Sequence, residues 1–141
     1  MSGVTWLSEA SDGDYAAARS YLSLLLGADR LDEAVELLRY GVEDVWRAKD
    51  LLRAARLQPL RRKRSPEVAS LVKAIEAGTP LAPVLLITDG RGSLEIADGY
   101  ERICAAYATN EDTGVAGRLA LLPEMTARTV TARFVRSPIR R

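Results

Sequence analysis

The sequence predicts an α+β fold: an N-terminal helical cap, residues 1–57, packed on a small mixed α/β domain, residues 58–141, the two forming one compact unit. Three observations carry this reading. Apolar residues recur at helical spacing through the first 57 positions. Two short apolar runs, "VLLITD" and "SLEIAD", flank "GRG" and read as strands. A helical pattern then opens directly at "DGYERICAAY". Helices followed by a helix, two strands, a helix and two strands make a sheet that helices must cover.

The elements follow in order. "DYAAARSYLSLLLG" is a helix with Asp12 or Asp14 near its start and Gly27 as its stop. "LDEAVELLRYG" is the second, with Asp32 as N-cap, Gly41 as stop, and Leu31, Val35 and Leu38 on one face. "VEDVWRAKDLLRAARL" is the third, its apolar stripe made by Val42, Val45, Trp46 and Leu52. Short connections make these helices antiparallel neighbours. After the polar connector "QPLRRKR", Ser65 caps a fourth helix and Pro66 takes its first position. Val68, Leu71, Val72 and Ile75 give it one buried face, and Gly78 closes it. The prolines of "TPLAP" hold the next stretch extended.

"VLLITD" is apolar throughout, as in a central strand, whereas "SLEIAD" alternates. The helix at 100–110 places Tyr100, Ile103, Cys104 and Tyr107 on one face. "GRLALL" is a third strand. "TVTARFV", alternating Val130, Ala132 and Phe134 with polar residues, is a fourth.

Composition narrows the chemistry. The chain has 141 residues, 48% of them apolar, enough for one core. Its apolar runs are far too short to span a bilayer, and no basic region followed by an apolar block opens the chain. The single cysteine cannot form an internal disulfide, so a cytoplasmic, reducing setting is expected. Histidine is absent, which excludes histidine bases and catalytic triads and, with one cysteine, structural zinc. Chemistry here would rest on carboxylates, Arg, Lys, Tyr, hydroxyls, or a bound nucleotide and metal. Net charge is +1, with the bases gathered in "RRKR" (Arg61–Arg64) and in Arg133, Arg136, Arg140 and Arg141. Both clusters read as a solvated loop and tail rather than a nucleic-acid surface.

The junction "ADGYER" concentrates the functional signal. Free amides and a partial positive charge mark a helix N-terminus, Gly99 allows close approach to its backbone, and Arg102 offers a planar cationic fork. This is a plausible phosphate site. Asp98 and Glu101 would repel a bare anion, so they point to a bridging Mg²⁺ or to a base. The same spacing also fits a structural arrangement, with Asp98 as N-cap and Arg102 paired to a surface carboxylate.

From Leu51 to Leu122 the order of elements and the box Gly99-Tyr100-Glu101-Arg102 resemble the ParB/sulfiredoxin-like superfamily. Partition proteins carry "GERR" in this box, sulfiredoxins "GCHR", and the free serine kinases "DGHHR". The wider layout is similar to small actinobacterial ParB-like proteins with an N-terminal helical region and "ADGYHR". The resemblance implies a nucleotide-phosphate pocket for ATP or CTP with Mg²⁺. Gly99, Tyr100 and Arg102 would bind phosphate, with Gly78, Thr79 and Pro83 in the facing loop. Asp98 and Glu101 would hold metal or act catalytically in NTPase or phosphotransferase turnover. The alternative is a catalytically inactive protein-interaction or regulatory module of the same fold.

This sequence departs from those patterns in informative ways. Tyr100 stands where sulfiredoxins have their cysteine, and Cys104 belongs to the apolar stripe, so sulfiredoxin activity is not expected. Glu101 replaces the kinase histidine. No helix-turn-helix domain follows the box, so sequence-specific DNA binding is not expected. A nuclease would need a denser set of carboxylates. A homodimer or protein partner is expected to use the helical cap, and no membrane partner is expected.

Overall fold

The structure, a computed structural model, describes residues 3–125. Among these residues five α-helices cover a four-stranded mixed sheet, an α+β architecture. The elements are α1 (Asp12–Leu22), α2 (Ala28–Arg39), β1 (Val42–Arg47), α3 (Ala48–Ala55), α4 (Pro66–Glu76), β2 (Val84–Thr88), β3 (Leu94–Asp98), α5 (Tyr100–Thr109) and β4 (Gly114–Leu121). A short 3₁₀ turn at Arg62–Arg64 precedes α4. The expected strand "TVTARFV" lies outside the described residues.

Strand order is β1-β4-β2-β3. β2 runs parallel to β4 and antiparallel to β3, and β1 runs antiparallel to β4. The uninterrupted apolar character of β2 has a direct cause. Val84 and Leu86 enter a core with α3, α4 and α5, while Leu85 and Ile87 enter a second core with α1 and α2. All four are buried, so a strand covered on both faces has no polar side to show. The molecule is thus three layers deep, with α1 and α2 on one face and the other helices on the opposite face.

The fourth helix is capped as expected. The Ser65 hydroxyl accepts the Val68 N–H at 3.1 Å, and Pro66 sits in the first turn. The first helix starts at Asp12, with Asp12 and Asp14 in its first turn as expected and Ser11 as its N-cap. Ser11 and Asp14 form a capping box: the Asp14 N–H donates to the Ser11 hydroxyl, and the Ser11 N–H to the Asp14 carboxylate. Gly27 does not stop α1, which ends at Leu22. It is instead the N-cap of α2, which begins at Ala28 rather than after Asp32. The chain between the two helices tightens into turns closed by Leu24 N–H to Tyr21 C=O and Leu25 N–H to Leu22 C=O.

The main correction falls on residues 42–57. They form not one helix but β1 followed by α3. Val42, Val45 and Trp46 have helical spacing, yet the first two are 66% and 59% exposed, and only Trp46 reaches a core. β-branched and aromatic residues suit a strand. Gly41 admits it: a Cβ there would lie 2.9 Å from the Leu119 carbonyl oxygen, so only glycine lets the chain enter against β4 this closely. The N-terminal 57 residues are therefore not a purely helical cap. They supply an edge strand to the sheet and helices to both of its faces. Leu26 and Leu52 are buried on the α/β framework, as their apolar character required.

Among the described residues no helix is long and apolar enough to cross a membrane.

Candidate functional site

β3 ends at Asp98, Gly99 turns the chain, and α5 begins at Tyr100. Gly99 has φ +111°, in the left-handed region. A Cβ at this position would lie 2.5 Å from Val84 Cγ1 and 2.9 Å from Arg102 Nη2. Close packing against its own neighbours, rather than room for a ligand, is what demands glycine here.

Arg102 is held by two carboxylates. Its Nη2 donates to Asp98 Oδ2 at 2.7 Å, four residues back across the Gly99 turn, and its Nη1 donates to Asp14 Oδ1 at 3.3 Å. All three side chains are largely buried. Asp98 is thus an ion-pair partner, not the N-cap, and α5 has no side-chain cap. The second partner comes from α1, far away in sequence. Asp14 was legible as a helix-start residue, but no local pattern in the sequence links it to Arg102.

The two carboxylates respond differently to the shared guanidinium. Burial pushes Asp98 up, nearby Asp14 adds to that, and Arg102 only partly offsets it, so its carboxyl stays above the ordinary value. Burial also raises Asp14. There the Ser11 amide and hydroxyl together with Arg102 outweigh burial and leave it below the ordinary value.

Asp98, Gly99, Glu101 and Arg102 line a cavity of about 520 Å³, whose opposite wall is Pro66, Glu67, Ser70 and Leu71. The first turns of α4 and α5 therefore open into one space. A neighbouring cavity of about 480 Å³ shares Asp98, Gly99 and Glu101 and continues past Tyr100 and Glu95 toward Tyr21. Glu101 is exposed and has no hydrogen-bond or ion-pair partner among the described residues. No group of three or more His, Cys, Asp or Glu side chains among the described residues is arranged to hold a metal ion. Asp98 and Glu101 would need oxygens from a ligand to complete a Mg²⁺ shell.

Three expected phosphate-loop residues are elsewhere. Gly78 and Thr79 close the C-terminal end of α4, their amides donating to the Ile75 and Ala74 carbonyls. The N-terminal end of that 11-residue helix faces the cavity, roughly 16 Å away at 1.5 Å per residue. Pro83 lines a different cavity with Trp6 and Val45. The 78–84 segment is tied down by the N-terminal residues: Leu81 exchanges backbone hydrogen bonds with Thr5 and Leu7. Tyr100 is also committed, its hydroxyl donating to the Gln58 carbonyl at 2.6 Å, and burial pushes its pKa up to about 12.

Cys104 is 1% exposed, and its Sγ accepts the Leu60 N–H at 3.2 Å. Burial raises its pKa, so the thiol is protonated at neutral pH. Native-state labelling by a thiol reagent is expected to be slow and limited by unfolding. Cys104→Ala is expected to cost about 1–2 kcal/mol, from lost burial and an orphaned amide, in a denaturant titration.

No family model, curated protein or solved structure matches this chain.

Proposed function

We propose that the cavity between α4 and α5 binds the phosphate end of a nucleoside triphosphate, ATP or CTP, together with Mg²⁺, in the manner of ParB/sulfiredoxin-like domains. The observation that carries this is the convergence of two helix N-termini on one cavity of about 520 Å³. The α5 end has amides without a side-chain cap, and each end carries a partial positive charge. Ser70 and the α5 amides would meet phosphate oxygens, and Arg102 would add charge from the rim.

Electrostatics make the metal part of the proposal. Glu67, Asp98 and Glu101 line the cavity against one arginine, itself neutralised by Asp98 and Asp14. A bare triphosphate is repelled; a Mg²⁺-bound one brings the missing positive charge. Glu101, unpaired among the described residues, is the carboxylate best placed to meet the metal, with Asp98 behind it. The metal would neutralise phosphate charge. Turnover would then need a base, and Asp98, with its raised pKa, is the residue suited to that role.

The closed Asp14–Arg102–Asp98 cluster favours a second reading, a non-enzymatic interaction module in which Arg102 only braces the fold. Thermal denaturation with ATP, CTP and GTP, with and without Mg²⁺, separates the two. A ligand specific to the native state raises the midpoint with its concentration, by about 2.7 kcal/mol of added stability at a hundredfold excess over its dissociation constant. The nucleotide reading requires a Mg²⁺-dependent rise. A midpoint unmoved by all three nucleotides leaves the interaction module.

A further inference from the structure

β1 is an edge strand, paired to β4 on one side and to no other strand among the described residues. Edge strands that stay solitary carry bulges, prolines or charges that break any self-match. β1 has neither bulge nor proline. Its ladder with β4 is regular from Val42↔Leu119 to Arg47↔Gly114. Its two valines are more than half exposed, and Tyr40, just before it, is 78% exposed. One face carries Glu43, Val45 and Arg47 in succession, an acid and a base placed symmetrically about a valine.

We propose that β1 pairs antiparallel with β1 of a second copy, about a two-fold axis at Val45, to make an eight-stranded sheet. A two-fold strand pair sets one residue opposite itself. Centred on Glu43 or Asp44, it would face like charges across the axis. Centred on Trp46, it would set Val45 against Arg47. Centred on Val45, it sets valine on valine and places Glu43 opposite Arg47 of the second copy, twice over. Opposite charges and β-branched pairs directly across a ladder are the favourable combinations.

The backbone fits this register. The Val45 N–H is taken by the carboxylate of its neighbour, Asp44, at 2.7 Å, so this amide faces the open edge. Pairing at Val45 exchanges that local contact for two N–H to C=O bonds across the axis. The charged side chains are free to turn. Arg47 meets Asp50 at 3.0 Å and Asp112 at 3.7 Å, with all three well exposed, and such pairs are weak. Glu43 meets Arg118 at 2.8 Å, but Arg118 keeps Glu9 as a second counter-ion when Glu43 swings away. This surface is distinct from the α4–α5 cavity and lies within residues 1–57, the region expected to mediate association.

The test is sedimentation equilibrium on the full chain across a dilution series. The wild type is expected to show a monomer–dimer equilibrium. Arg47→Glu sets its new carboxylate against Glu43 of the second copy, and Glu43→Lys sets its new ammonium against Arg47. Each is expected to weaken the dimer roughly tenfold or more. Mixed in equal amounts, the two variants restore opposite charges across both outer positions, and a heterodimer is expected where each alone is monomeric. Val45→Lys, at an exposed position, is expected to give a monomer with unchanged circular dichroism. A wild type that stays monomeric throughout, a dimer indifferent to Val45→Lys, or a mixture that does not re-associate would overturn the proposal.

Discussion

Gly99→Ala is expected to destabilise the fold by about 2–4 kcal/mol, by summing a strained left-handed backbone and an overpacked contact. The new methyl would sit 2.5 Å from Val84 Cγ1 and 2.8 Å from Val84 Cβ. Val84 is fully buried at the start of the central strand and cannot move aside. The methyl would also press on Arg102 Nη2 at 2.9 Å, the nitrogen that holds Asp98. Gly92→Ala is the control. Gly92 has φ +98° but open space around it, so it carries the backbone cost of about 1–2 kcal/mol alone. Equal losses for the two substitutions in urea titrations would show that packing at the β3–α5 junction is looser than described.

Arg102→Ala is expected to cost about 2–4 kcal/mol at neutral pH, slightly less than for a fully buried pair because the three side chains keep some solvent contact. It leaves Asp14 and Asp98 facing one another with no cation between them. The pH dependence has a definite sign. Asp14 has a lowered pKa in the folded protein, so its contribution is present above its unfolded pKa and lost as pH falls through the lowered folded value. Asp98 has a raised pKa, so its ionisation opposes folding near neutrality, and that penalty is relieved as pH falls through the raised value. Without Arg102 both carboxyls move up. The gap between wild type and variant is therefore widest at neutral pH and narrows as pH falls through the raised Asp98 value and then the lowered Asp14 value. Arg102→Lys keeps the charge but not the fork that spans two carboxylates, so it recovers only part of the loss. A gap independent of pH would mean that the cluster contributes through packing alone.

How much of this was legible in the sequence follows from how local each cause is. The Ser65-Pro66 start of α4, the doubly buried run of β2 and the start of α5 after Gly99 are written in adjacent residues, and they stand where expected. β1 was hidden because Val42, Val45 and Trp46 satisfy both a helical and an extended reading; pairing with β4, far later in the chain, decides between them. Gly27 marks a helix boundary from either side, and only tertiary packing made it a start. At the site, the Asp98–Arg102 neighbourhood could be read from a separation of four residues across the strand-to-helix turn at Gly99. Asp14 could not, because α1 reaches the junction only through the fold. The expected phosphate loop failed for a similar reason. Gly78, Thr79 and Pro83 read as a loop facing the box, but the length of α4 carries Gly78 and Thr79 to the opposite end from the cavity, and Pro83 lines a different cavity.

The proposed nucleotide enters the α4–α5 cavity through its metal. Isothermal titration of Mg²⁺ with ATP or CTP into wild-type protein and into Glu101→Gln tests this most directly. Glu101 is exposed and has no partner among the described residues, so this substitution leaves the Arg102 cluster undisturbed. Saturable binding is expected that needs Mg²⁺ and weakens roughly tenfold or more in Glu101→Gln, the loss of one charge-assisted contact. Nucleotide binding that ignores both Mg²⁺ and Glu101→Gln, or no binding at all, would contradict it.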